Sequence, residues 1–91
     1  MKKDKSVILI GEDIGDDGGV FRVTEGLRAL YGTRVIDSPL AESGIIGTSI
    51  GMVLAGLKPI AEIQFEGFIF PALDQLVNHA ARIRNRSRGK F

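Results

Sequence analysis

The feature that most constrains this chain is a short, unbroken run of apolar residues close to its N-terminus. Residues 7–10 read VILI and are followed at once by Gly11. A strand that is apolar at every position must be covered on both faces, which is the situation of strands in parallel sheets. We therefore expect a buried strand over Val7–Ile10.

Strand-like and helix-like segments alternate along the rest of the chain. After a glycine-rich acidic loop (11–19), the pattern predicts a helix capped by Thr24 through Tyr31, a strand over Arg34–Asp37, a helix capped by Ser38 and ended by Gly56, a strand over Pro59–Phe65, and a helix over roughly Pro71–Arg86. This order predicts an α/β fold, a parallel sheet with flanking helices. Three strands leave two open sheet edges, so we interpret the chain as part of a larger domain.

Composition narrows the class of protein. Hydrophobic residues make up 44% of the 91 residues and charged residues 25%, which is typical of a globular domain. The net charge is +1 and there is no cysteine, so we expect no nucleic-acid partner, no disulfide and no thiolate metal site. The arginines near the C-terminus lack an accompanying aromatic platform, which favours a solvated or interface face over RNA binding. No apolar run approaches the ~20 residues of a membrane-spanning helix, and we expect a cytoplasmic location without a membrane partner.

The helix expected after Pro39 is unusually rich in small residues, which recur at spacings of three and four: Gly44, Gly47, Thr48, Gly51 and Ala55. Each interior glycine costs ~1 kcal/mol relative to alanine, so a close approach of another backbone is expected. That backbone belongs either to a second helix or to the chain's own sheet. Glu42 stands near the start of this helix among small and apolar neighbours. It is either an ordinary first-turn acid, favoured by the helix dipole, or a carboxylate free to exchange a proton.

Five segments carry a resemblance to a known family: GEDIG, GGVFRVTEGL, DSPLAESGIIG, GLKPIAEIQF and HAARIRNRS. Together they resemble the N-terminal part of the β subunit of the decarboxylase component of 2-oxo-acid dehydrogenase complexes, which depend on thiamine diphosphate. The resemblance covers nearly the whole chain. It implies that residues 1–91 are the first part of a pyrimidine-binding (transketolase-like) domain of the thiamine-diphosphate-binding fold, with the rest of that domain and a C-terminal domain absent. Asn85 departs from the family, which commonly has an aromatic residue between these arginines.

The resemblance implies roles for four residues around the pyrimidine ring of the cofactor. Glu42 would hydrogen-bond the ring nitrogen and exchange a proton with it, so that the exocyclic nitrogen can deprotonate the thiazolium carbon. Leu40, Gln64 and Phe68 would line the ring, with Phe68 stacked on its face. Core packing is the alternative for Phe68, whereas a polar Gln64 in an apolar strand needs hydrogen-bond partners in any case.

Two acids outside this pocket, Glu12 and Asp74, resemble carboxylates that form a proton route between the family's two active sites. Considered alone, Glu12 is slightly better explained by a solvated loop and Asp74 by a helix surface. We assign no metal ligand to this chain, because the acidic loop 11–19 has neither the EF-hand spacing nor the Gly-Lys of a P-loop. The resemblance implies that the diphosphate and magnesium site lies on the α subunit.

The implied protein is an enzyme, the β subunit of a pyruvate or branched-chain 2-oxo-acid dehydrogenase. Its implied partners are an α subunit, a second β subunit and a lipoyl-bearing acyltransferase that receives the acyl group. The 91-residue chain alone is expected to be inactive, because half a site cannot hold the cofactor's two rings in register. Two alternatives remain: a non-catalytic fragment that serves only assembly or interaction, and another thiamine-diphosphate enzyme such as a split transketolase.

Overall fold

The computed structural model describes all residues of the chain, 1–91, and contains a three-stranded parallel sheet. Strand β1 (Val7–Gly11) is central, with β2 (Val35–Asp37) on one side and β3 (Lys58–Ala61) on the other. Leu9 is the register partner of both Val35 in β2 and Ile60 in β3. The predicted α/β fold is confirmed, and each outer strand keeps one edge without a partner strand.

Strand β1 forms the centre of the core, as its apolar run predicts. Its residues Ile8, Leu9 and Ile10 are buried. Leu9 packs with Ile14 and Val35, both of which are fully buried. This core is small, because it is completed only by three partly buried side chains: Met1, Leu27 and Tyr31.

The helical segments differ in length and type. The α-helices are α1 (Leu27–Tyr31), α2 (Glu42–Leu54) and α3 (Ile83–Arg86). Two 3₁₀ segments cover Gly32–Arg34 and Glu66–Ala72, and a π-helical segment covers Gln75–Ala80. None of these helices has the length and apolar character needed to cross a membrane.

Both predicted helix caps are wrong, because α1 and α2 begin later than expected. The Thr24 hydroxyl is buried and donates to the Ile14 carbonyl at 2.8 Å, so α1 begins only after Gly26. The Ser38 amide donates to the Gly11 carbonyl at 2.8 Å, which continues the pairing of β2 with β1. Helix α2 therefore begins at Glu42, without a side-chain cap, rather than at Pro39.

The C-terminal part of the chain also departs from the prediction. Strand β3 ends at Ala61 and not at Phe65, because its pairing with β1 is exhausted once the Glu62 amide has bonded to Ile10. The long helix expected over 71–86 is interrupted. Pro71 lies inside the 3₁₀ segment, and further along the Ala81 amide donates to Leu76, five residues back, at 2.9 Å.

Candidate functional site

Four of the site residues implied by the resemblance follow the carboxyl ends of the three strands. Glu12 follows β1, Leu40 and Glu42 follow β2, and Gln64 follows β3. The carboxyl ends of parallel strands lie at the same edge of a sheet, and ligands of open α/β sheets bind at this edge. The topology therefore gathers these four residues along the edge where a ligand is expected.

Glu42 is the first residue of α2 and is half-buried. It precedes three buried residues, Ile45, Ile46 and Ser49, by three, four and seven positions, so it lies on the same helix face as they do. None of the chain's ion pairs includes it. A helix N-terminus stabilises a negative charge by ~0.3–1 kcal/mol. The fold thus fixes this carboxylate at the sheet edge and leaves it free of a charged partner.

A cavity of about 210 Å³ lies beside the first turns of α2. Seven residues of β1, the β2–α2 connection and α2 line it: Ile10, Ser38, Pro39, Ala41, Gly44, Ile45 and Thr48. Leu40 and Glu42 are not among them, and the Leu40 side chain is 73% exposed. The chain alone therefore does not enclose the predicted pyrimidine pocket, although a concave surface adjoins it.

Gln64 connects the ends of β3 and β1. Its Nε2 donates to the Glu12 carbonyl at 3.4 Å, which is long for such a bond and leaves most of the amide's hydrogen-bonding capacity available. The hydrogen-bond partner expected for this amide is therefore the Glu12 carbonyl, at the end of the neighbouring strand β1. Glu12, which is half-buried, and Gln64 are thereby brought together.

Phe68 lies in the 3₁₀ segment that follows β3, and its side chain is 46% exposed. It is not packed in the core of this chain. Its ring meets Phe65 edge to face at a centroid distance of 5.4 Å, and Phe65 meets Phe21 in the same manner at 5.5 Å. Sequence reasoning missed Phe21 and Phe65, because a contact across 44 residues leaves no local pattern.

Asp74 stands apart from the other predicted site residues. Its exposed carboxylate accepts a hydrogen bond from Asn78 Nδ2 at 2.8 Å and lies 3.8 Å from His79 Nε2. These contacts lie within one helical stretch, as expected of a helix-surface charge. The proton route through Asp74 stays a prediction.

Asp37, at the end of β2, was not singled out from the sequence. Its Oδ1 accepts a hydrogen bond from the Gly15 amide at 2.6 Å, and its Oδ2 lies 3.7 Å from Arg28 Nη1. A Cβ atom on Gly15 would lie 2.1 Å from Oδ2, so the contact requires glycine. The carboxylate therefore ties the acidic loop to the sheet.

The small residues of α2 do not pack on the chain's own sheet. Gly51 and Ala55 are exposed, and a Cβ atom on Gly51 would meet no atom within 4 Å. A Cβ atom on Gly47 would lie 3.2 Å from Gln75 Oε1, a side chain of the π-helical segment. Of the two expected partners, the sheet is excluded, and close approach of a second helix stays a prediction.

Metal binding has no candidate on this chain: no group of three or more His, Cys, Asp or Glu side chains is arranged to hold an ion.

The fold is an α/β domain whose candidate site residues follow the carboxyl ends of a parallel sheet. Comparison with known families gives a match over residues 1–91 to the family described as transketolase, pyrimidine binding domain. The chain belongs to this family.

Individual relatives agree with the resemblance seen in the sequence. The chain is 64% identical to the pyruvate dehydrogenase E1 component subunit beta of Acholeplasma laidlawii, over 100% of this chain and 28% of the relative. It is 53% identical to the 2-oxoisovalerate dehydrogenase subunit beta of Pseudomonas aeruginosa, over 100% of this chain and 26% of the relative. A 3-methyl-2-oxobutanoate dehydrogenase subunit beta of Mycobacterium tuberculosis is also 53% identical, over 99% of this chain and 26% of the relative. The chain thus spans roughly a quarter of the length of these relatives.

Proposed function

We propose that this chain supplies the pyrimidine half-site of a thiamine-diphosphate-dependent 2-oxo-acid dehydrogenase, as the front part of its β subunit. The observation that carries the proposal is the place of Glu42, at the N-terminus of α2 and at the ligand edge of a pyrimidine-binding domain. Relatives named for pyruvate and for branched-chain 2-oxo acids are both similar to the chain, so the substrate class is a 2-oxo acid. The assembly we propose is a cytoplasmic heterotetramer with an α subunit and a second β subunit, which passes the acyl group to a lipoyl-bearing acyltransferase.

The chemistry of the predicted site residues supports a site for an aminopyrimidine ring. Glu42 is a carboxylate without a charged partner, and the Gln64 amide has hydrogen-bonding groups that remain available. Phe68 presents a partly exposed ring. Glu42 would hold the ring nitrogen, Phe68 would stack on the ring, and Leu40 and Gln64 would line it. An aromatic face and a directed carboxylate are what a flat heterocycle with a basic nitrogen requires.

The chemistry divides between cofactor and chain. When bound, thiamine diphosphate supplies a carbon nucleophile that can attack a 2-oxo group. Glu42 would move a proton to and from the pyrimidine nitrogen, the general acid–base part of the process. The diphosphate and magnesium are assigned to the partner α subunit, so the chain alone is expected to show no turnover.

The experiment replaces Glu42 in the full-length β subunit assembled with its α subunit. Glutamine keeps the size and the hydrogen bond but cannot exchange a proton, so Glu42→Gln should lower kcat by ~10²–10⁴-fold. Cofactor affinity should fall only by about tenfold or less, the effect of exchanging one charged for one neutral hydrogen bond. The decisive readout is hydrogen–deuterium exchange at the thiazolium carbon of the bound cofactor, which should slow markedly.

The matched control is Glu25→Gln, an exposed acid in the loop before α1, which should leave both rates unchanged. If the exchange rate of Glu42→Gln equals that of the wild type while its melting temperature falls, Glu42 is a helix-start acid only. The proposed site would then be wrong.

A further inference from the structure

The short segment that carries Glu12 is held to β2 at both of its ends. At one end, Gly11 is the register partner of Asp37, and the Ser38 amide donates to the Gly11 carbonyl at 2.8 Å. At the other end, the Gly15 amide donates to Asp37 Oδ1 at 2.6 Å. Asp37 of β2 therefore contacts Gly11, immediately before Glu12–Ile14, and Gly15, immediately after it.

The contact with Gly15 is close and directional. Gly15 is buried, and the clash that a Cβ atom would make with Asp37 Oδ2 shows that the backbone lies against the carboxylate. A hydrogen bond from a backbone amide to an ionised carboxylate is shorter and stronger than one between neutral groups. Arg28 Nη1 lies 3.7 Å from Oδ2, but this pair is well exposed to water and contributes little. The hydrogen bond from the Gly15 amide is thus the main contact of the Asp37 carboxylate.

The backbone inside this segment needs such support. Asp13 adopts φ 55°, in the left-handed region that is unfavourable for a residue with a side chain. A turn of this kind persists only when surrounding contacts determine it. Gly19 donates to the Asp13 carbonyl at 2.8 Å on the far side, and Gln64 donates to the Glu12 carbonyl at 3.4 Å. Asp37 completes this set from the side of β2.

We propose that Asp37 is a positioning residue, which fixes the backbone of Glu12 between the ends of β2 and β3 and so places the Glu12 carboxylate for proton transfer. This inference rests on the proposed function and on the proton route through Glu12 that the resemblance implies. Asp37 acts through Glu12 and does not itself touch cofactor or substrate.

The test is a double-mutant cycle in the full-length β subunit assembled with its α subunit. Asp37→Ala should lower kcat by about tenfold with KM for the 2-oxo acid little changed, because positioning is lost while binding is kept. In a Glu12→Gln background, Asp37→Ala should cause no further loss, since residues that act as one unit are not additive. Asp37→Asn keeps an acceptor for Gly15 and should restore most of kcat. Asp16→Asn, an exposed acid of the same loop, is the control for charge.

A second readout is independent of turnover. Hydrogen–deuterium exchange of the Gly15 amide should accelerate at least about tenfold in Asp37→Ala and remain near wild type in Asp37→Asn. Should Asp37→Ala fail to assemble, Gly15→Ala disturbs the same contact from the loop side, and the same pattern is expected. The inference would be overturned if Asp37→Ala lowered kcat equally with Glu12 and with Gln at position 12, or if it left the exchange rate of the Gly15 amide unchanged. In either case an active wild-type assembly would leave the proposed function intact. A wild-type assembly without thiamine-diphosphate-dependent turnover would overturn both.

Discussion

Residues 1–61 contain nearly all of the buried residues of the chain, including the central strand of the sheet, whereas residues 62–91 contain almost none. Ala72 is the only buried residue after Ala61. The side-chain hydrogen bonds also differ between the two regions. In the first region, Gly15 bonds to Asp37 and Thr24 to Ile14, across 22 and 10 residues. In the second, the side-chain bonds span at most four residues, apart from the single bond of Gln64 to Glu12.

This difference shows which part of the fold the chain specifies by itself. The first region is held by long-range contacts of its own, so its structure follows from its sequence. The second region presents large apolar side chains to solvent, among them Phe68, Phe70, Leu73 and Val77. Where such side chains form one patch, they mark an interaction site. We propose that the second region is such a surface.

The largest expected effect is the loss of stability when a core residue of the first region is truncated, compared with truncation of an exposed residue in the second. Ile14 is fully buried against Leu9 and Val35, so Ile14→Ala should lower the free energy of unfolding by ~2–4 kcal/mol. Val77 is exposed in the second region, and Val77→Ala should change it by less than ~0.5 kcal/mol. Urea denaturation of the chain, followed by circular dichroism, gives both values. Equal losses at the two positions would show that the regions do not differ in packing.

The same contrast explains how far sequence reasoning succeeded. Strand β1 and the end of α1 at Gly32 are local features, set by an apolar run and by a glycine at φ 58°, and both were predicted. The caps at Thr24 and Ser38 were predicted wrongly, because the Thr24 hydroxyl bonds across the loop to Ile14 and Ser38 still extends the pairing of β2 with β1.

The site divides in the same manner. The position of Glu12, Leu40, Glu42 and Gln64 at one sheet edge follows from the parallel topology, and the order of the elements predicted that topology. The contact of Asp37 with Gly15 and the edge-to-face contact of Phe21 with Phe65 depend on how loops fold back on the sheet. No periodicity or motif encodes such contacts.

A smaller change in stability is expected for glycine substitutions in α2, a helix with one buried face and one exposed face. Because a Cβ atom on Gly51 would meet no atom within 4 Å, Gly51→Ala should stabilise the isolated chain. The expected gain is ~0.5–1 kcal/mol from helix propensity alone. Gly47→Ala should gain less, since its Cβ atom would lie 3.2 Å from Gln75 Oε1. Thermal denaturation of the two variants gives the comparison.

The assembled enzyme tests whether the exposed face of α2 is covered. If a second helix approaches there, Gly51→Ala should weaken the assembly of the full-length β subunit, measured by analytical ultracentrifugation, although it stabilises the chain. Assembly as strong as that of the wild type would show that no backbone approaches Gly51.

The smallest effect concerns the ion pair that joins the N-terminal segment to β3. Lys58 Nζ lies 2.7 Å from Asp4 Oδ2, and the Ser6 amide and hydroxyl donate to Oδ1 at 2.9 and 2.6 Å. The bond from Lys58, followed by those from Ser6, holds the pKa of Asp4 well below its usual range. Since the folded-state pKa lies below the unfolded-state value of about 4, the stabilisation is complete above that pH and is lost as the pH falls through the folded-state pKa.

Comparison of the wild type with Asp4→Asn tests this sign. The wild type should have the higher urea midpoint near neutral pH, and its advantage should shrink steadily as the pH is lowered below about 4. Because both side chains are exposed, about 1 M salt should reduce the advantage at any pH. Asp16→Asn, whose carboxylate belongs to no ion pair of the chain, is the control and should show no such shrinkage. An Asp4→Asn difference that is constant from neutral to acidic pH would mean that the contact contributes by shape alone. The N-terminal segment would then be held by the packing of Met1 and by the hydrogen bonds from Arg34 to the Met1 and Asp4 carbonyls, and not by the charge of Asp4 beside β3.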